Sequence, residues 1–235
     1  MKASRNTLII AVIVIGLGAI AFISFLPRIA LGAFASTYNL DIQYQGLKKA
    51  NLSGMAFNKL TIIDKARGIG VSSEKATIGL QWNGPDPRNA TVGFNLYDVR
   101  FVKKAREAKT SYDTLDGLVA LPFSSNWVYE ELSGRVRSSK GAVTVDNFLA
   151  KSGQMKLTLN GSIQADNTIK SDIVIYFADD LTKKIPPELT KLVLTQEAPG
   201  WKSLSVKLEG NYTMPTIRVS SKLFRLNIGV KEDPS

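Results

Sequence analysis

Leu132-Ser133-Gly134-Arg135-Val136, Val143-Thr144-Val145-Asp146, Met155-Lys156-Leu157-Thr158-Leu159-Asn160 and Asp172-Ile173-Val174-Ile175-Tyr176-Phe177 follow one another with short gaps. Val143 and Val145, then Met155, Leu157 and Leu159, then Ile173, Ile175 and Phe177 place an apolar residue at every second position. Side chains on a strand point to opposite faces in turn, so each run has one apolar and one wetter face. Ser139-Lys140-Gly141, Lys151-Ser152-Gly153 and Ala165-Asp166-Asn167 separate the runs, and each suits a tight turn. Short strands joined by tight turns predict an antiparallel meander.

Working outward, Trp201 to Glu209 and Thr216 to Ile228 read as further strands. Their parity puts Met155, Leu157, Leu159, Ile173, Ile175, Leu204, Val206 and Leu208 on a single apolar face. Such a face is either plain core beneath a cover or a surface for an apolar ligand. Toward the amino end, Leu40, Ile42 and Tyr44 alternate with Asp41 and Gln43. Leu52 to Phe57 and Lys59 to Ile63 follow, then Lys75 to Trp82 and Ala90 to Val102. Asn83-Gly84-Pro85-Asp86-Pro87 splits the last two runs, because proline and glycine forbid regular pairing there.

Two pieces break the alternation. Tyr112, Leu115, Leu118 and Val119 recur at helical spacing after a basic linker, and Pro122 ends that short helix. Pro186 to Thr195 is a second helical piece, with Leu189, Leu192 and Val193 on one side. It is expected to cap the open end of a sheet. The alternative is that Lys183, Lys184 and Lys191 rest it at a headgroup surface.

Leu132-Ser133-Gly134-Arg135-Val136, Lys140-Gly141-Ala142-Val143 and Leu157-Thr158-Leu159-Asn160-Gly161-Ser162-Ile163 resemble the repeating carboxy-terminal pattern of the AsmA/TamB-like proteins. Leu208-Glu209-Gly210-Asn211-Tyr212 and Met214-Pro215-Thr216-Ile217 are similar to that family's closing strand. The resemblance covers Leu132 to Val219, and more loosely Leu40 to Val102. It implies an AsmA-like periplasmic β-groove that shields or passes lipid acyl chains for outer-envelope maintenance. Type II secretion protein N, a structural subunit of an envelope machine, has a similar plan and is the rival within the resemblance.

Thr7 to Leu26 carries no charge and consists almost wholly of apolar residues. At ~1.5 Å per residue such a helix spans about 30 Å, the thickness of a bilayer's hydrocarbon core. Lys2 and Arg5 precede it, which keeps the amino end cytoplasmic. Ala33-Phe34-Ala35 would suit a signal-peptide cut, but the apolar run is longer than such a core of about 7–15 residues. The expectation is a single-pass inner-membrane protein with its carboxy-terminal domain in the periplasm. The organisation expected is a head over 1–6, a transmembrane helix over 7–26 and a juxtamembrane segment over 27–37. A β-meander over 38–102 follows, then a linker and short helix over 103–131, an AsmA-like meander over 132–230 and a tail over 231–235. The fold class is mainly β, a curved antiparallel groove with a few short helices.

Composition narrows the chemistry. There is no cysteine and no histidine among the 235 residues. Disulfides, thiolate metal sites and Ser-His-Asp or Cys-His catalysis are therefore excluded. Asp179-Asp180 and Glu130-Glu131 are adjacent acids, expected at turns or helix starts rather than as acid/base partners. Gly68-Ile69-Gly70 lacks the third glycine of a dinucleotide loop. No catalytic residue, metal or cofactor is expected. The net charge is +10, with basic residues scattered rather than clustered. That distribution predicts a solvated surface with attraction to lipid headgroups and no nucleic-acid partner. Expected partners are membrane lipids, the inner membrane and envelope proteins. A dozen strands at ~4.8 Å each reach about 58 Å, too short for one chain to bridge two membranes.

Overall fold

The computed structural model describes Gly32, Ala35, Ser36 and residues 39–51, 54–66, 68–84, 89–103, 112–211, 214–220 and 225–229. The expected membrane helix over 7–26, the head before it and the tail over 231–235 lie outside the described residues. Twelve strands form one antiparallel sheet. They are β1 (Leu40–Asn51), β2 (Gly54–Asp64), β3 (Ile69–Trp82), β4 (Ala90–Lys103), β5 (Tyr129–Ser139) and β6 (Ala142–Lys151). β7 (Met155–Ile163), β8 (Thr168–Ala178), β9 (Thr195–Gln196), β10 (Trp201–Asn211), β11 (Met214–Ser220) and β12 (Arg225–Gly229) complete it. The spatial order is the chain order, except that β8 pairs β10 directly and β9 pairs only the start of β10. β4 pairs β5 from Ala90↔Ser138 to Val99↔Tyr129, so the two meanders are one sheet.

The span Thr216 to Ile228, expected as one strand, is a pair. β11 and β12 are antiparallel, with Thr216 opposite Gly229. The polar run Ser220-Ser221-Lys222 ends the apolar alternation, which releases the chain to reverse. Glu130 and Glu131, expected at a turn or helix start, lie within β5. Tyr129 and Leu132 on either side are buried and carry the strand through them.

The sheet has two unlike ends. At one end β5–β6 and β7–β8 are joined by tight turns. Lys140 and Gly141 both take positive φ, 50° and 82°, as a two-residue type I′ hairpin requires. Asn167 takes φ 64°, and the Asp166 carboxylate accepts the Thr168 N–H at 2.9 Å. At the other end two connections carry helices. α1 (Leu115–Ala120) and a single 3₁₀ turn (Leu121–Phe123) lie between β4 and β5. Thr114 caps α1 by accepting the Gly117 N–H at 3.1 Å, and Pro122 falls inside the 3₁₀ turn. α2 (Asp179–Thr182) and α3 (Pro187–Val193) lie between β8 and β9. Leu118, Leu121, Leu181, Ile185 and Val193 from these pieces share one buried cluster with the sheet.

Strict alternation fails along one line. Phe57 and Leu60, Ala76 and Ser73, Leu96 and Val99, and Leu132 and Tyr129 are inward pairs three apart rather than two, and a separate bulge sets Val145 and Phe148 three apart on β6. The registers align these interruptions across β2, β3, β4 and β5. Asp98 takes φ 53° at this line. Two residues where one would do bend a strand and increase its twist.

Candidate functional site

Directly opposed residues share a face of an antiparallel sheet. One row on the apolar face runs Phe57, Ala76, Leu96, Leu132, Ala150, Leu157, Ile175, Leu204 from β2 to β10. One step toward the tight turns lies a second row containing Ile78, Phe94, Phe148, Leu159, Ile173 and Val206. A third contains Leu80, Val92, Val136, Val145, Leu208 and Ile217. Gly134 sits in the second row. A Cβ there would come within 2.9 Å of Phe94 and 3.2 Å of Phe148. Its bare backbone lets those rings meet edge-on, centroids 6.3 Å apart.

Burial grades along the face. In the first row Leu157, Ile175 and Leu204 are all 0% exposed. In the third row Leu80, Val92, Val136, Val145, Leu208 and Ile217 are all half-buried. Trp82, which follows Leu80 on the same parity at the tight-turn rim, is 48% exposed. Lengths explain the gradient. The fourteen residues of β3 or β4 extend about 46 Å at ~3.3 Å each. The seven residues of α3, the longest helix described, reach only about 10 Å. The helices fold over the end they leave from, and the apolar rows continue past them.

The covered end is held by aromatic contacts. Phe101 packs edge-on against Tyr129 at 5.9 Å and against Phe123 at 5.6 Å. The Tyr129 hydroxyl donates to the Pro122 carbonyl at 2.8 Å, tying β5 to the 3₁₀ turn. Burial holds this phenol well above its ordinary value of 10.0, so it stays a neutral donor. Ion pairs lie on the opposite face: Arg137–Asp146 at 2.9 Å, Lys207–Asp172 at 3.0 Å and Arg218–Glu209 at 3.1 Å. At the start of α2, Asp180 sits 2.7 Å from Lys183. That hydrogen bond and charge hold the Asp180 carboxyl below, and the Lys183 ammonium above, their usual values. Among the described residues no three acidic side chains converge as a metal site.

The eight residues singled out in the sequence fall on this one face. Met155, Leu157, Ile175 and Leu204 are 0% exposed, and Val206 and Ile173 are buried as well. Leu159 and Leu208 are half-buried. The first six are core beneath the helices. The half-open part of the face lies largely on β3 to β6, in Leu80, Val92, Val136 and Val145. Their signal was present: Ile78-Gly79-Leu80 and Val92-Gly93-Phe94 alternate as clearly as the later strands do. No family model, no curated protein and no solved structure matches this chain.

Proposed function

We propose that this protein shields lipid acyl chains on the half-open part of its apolar face, as a membrane-anchored, non-catalytic protein of the cell envelope. The observation that supports this most is the continuation of the apolar rows beyond the helices, from Phe94 and Phe148 to Val136 and Val145. Each methylene removed from water is worth about 0.8 kcal/mol, so an apolar strip lowers the cost of moving a chain without any reacting group. The uncharged run Thr7 to Leu26 and its Lys2/Arg5 flank support the anchor and the periplasmic placement of the sheet.

Photo-crosslinking in cells tests the reading. A photoreactive residue at position 145 is expected to give lipid adducts, and one at position 157 only adducts within the chain. Absence of lipid from position 145 overturns it. Leu157→Asp is expected to unfold the sheet, since an unpaired buried charge is very costly. Val145→Asp is expected to leave the melting temperature within a few degrees while abolishing co-purified lipid in mass spectrometry.

A structural subunit of an envelope machine is the second reading. It is favoured by the outer edge of β1, a twelve-residue strand that pairs only β2 among the described residues. Such an edge offers unpaired backbone groups to a partner's strand. Protein adducts from position 43, with none to lipid from position 145, would select it.

A further inference from the structure

β1 closes one side of the sheet, and its outer edge has two unlike halves. Asn39 and Lys65 continue the β1–β2 register by one step, and the Asn39 carbonyl accepts the Lys65 N–H at 3.0 Å. Opposed pairs in an antiparallel ladder alternate between hydrogen-bonded and non-bonded. Asp41, Gln43 and Gln45 therefore bond β2, and Leu40, Ile42 and Tyr44 aim their N–H and C=O groups away from it. No other strand pairs β1 among the described residues. Beyond Gln45 the edge is broken: Gly46 takes φ 57°, the register shifts between Leu47 and Lys49, and Lys48 is exposed. Bulges and lysines are devices that stop an edge from recruiting another strand. From Leu40 to Gln45 neither is present. That run holds no proline, glycine or lysine, and Asp41 is its one charged residue.

The unbroken half is complementary to a second copy of itself. Its outward backbone groups belong to even-numbered residues, so an antiparallel seam forms hydrogen bonds only where even meets even. The same residues carry the apolar face: Ile42 lies opposite Ile62, Tyr44 lies opposite Leu60, and both pack against the core cluster. A register that joins the backbones therefore also sets apolar beside apolar and polar beside polar. A two-fold axis through Asp41 would oppose two carboxylates, and one through Tyr44 would place Ile42 against the break at Gly46. Axes through Ile42 or Gln43 do neither. With Ile42 on the axis, Asp41 faces Gln43 of the second copy; with Gln43 on it, Asp41 faces Gln45. In both, a carboxylate that only accepts meets an amide that donates. Within one chain the Gln43 amide already donates to Asp41 at 3.2 Å. Such self-matching is what a two-fold interface requires.

We propose that two copies of this chain pair antiparallel along Leu40–Gln45 of β1, about a two-fold axis at Ile42 or Gln43. The axis stands perpendicular to the sheet, so both apolar faces lie on the same side and join across the seam. The pairing goes beyond both functional readings, since it needs neither lipid nor another protein. Light scattering of the purified full chain in detergent tests it and should give twice the chain mass. Ile42→Pro removes an N–H that β2 does not use, at an edge where proline is tolerated. It should return the protein to single-chain mass with a melting temperature within a few degrees of the parent's. The chain has no cysteine, so introduced thiols report the seam without relying on that variant. On oxidation, Ile42→Cys or Gln43→Cys should give a disulfide-linked pair, because a residue on the axis faces its own copy within bridging distance. Lys48→Cys, beyond the break, should not. The proposal is overturned if the parent has single-chain mass at micromolar concentration, if folded Ile42→Pro keeps the double mass, or if Lys48→Cys cross-links as fully as both axis positions.

Discussion

Ser73 stands in an apolar row between Leu60 and Val99 and is 3% exposed. Its hydroxyl lies 2.6 Å from the Lys75 carbonyl and 2.8 Å from the Tyr97 carbonyl, both at the interrupted line of the sheet. Ser73→Ala removes the hydroxyl and leaves those acceptors without this donor. A loss of about 1–3 kcal/mol is expected in urea unfolding. Tyr129 gives a pH signature. Its folded phenol titrates above the unfolded one, so its contribution is complete below about pH 10 and fades as pH rises further. Urea midpoints at pH 8 and pH 11 should show that fall. Tyr129→Phe should lose about 1–3 kcal/mol at pH 8, because Pro122 loses its donor, and should flatten the alkaline decline. At this scale the sequence was partly legible. Alternation assigns Leu157 to the apolar face, but nothing local says that Gly134 is the hole joining Phe94 to Phe148. That depends on a register spanning more than fifty residues.

The elements were the most legible level, because a period of two and a turn residue are both local signals. The runs Met155 to Asn160 and Asp172 to Phe177 fall within β7 and β8, and the turns at Lys140-Gly141 and Ala165-Asp166-Asn167 lie where their chemistry indicated. The interrupted line is not legible locally, since Asn58-Lys59, Glu74-Lys75 and Glu130-Glu131 look like turn residues when taken alone. Their meaning emerges only when four strands are set side by side. The helices offer a direct test. Leu181 of α2 is 0% exposed, and Leu181→Ala should cost about 2–5 kcal/mol through lost burial and the cavity left. Thr190 of α3 has a buried hydroxyl with no hydrogen-bond partner. Thr190→Val should raise the melting temperature, since it removes an unpaired polar group at nearly constant shape.

For the whole molecule, cover and exposure divide along the strands. Amide hydrogen exchange should follow that division: Leu157 and Ile175 are expected to exchange only on global unfolding, and Val136 and Val145 through smaller openings. The sheet as a class was legible, because alternation recurs in nearly every segment. Which end of its face stays open was not, since that depends on how far short helices reach over long strands. The near-sequential strand order has one more consequence. Apart from the step across β9, each strand pairs with one made just before it. No early segment waits for a distant partner, so loop-closure costs stay small throughout. A chain emerging gradually, from a ribosome or through a translocation pore, can add hairpin upon hairpin to a growing edge and never needs to be threaded back through what has already formed.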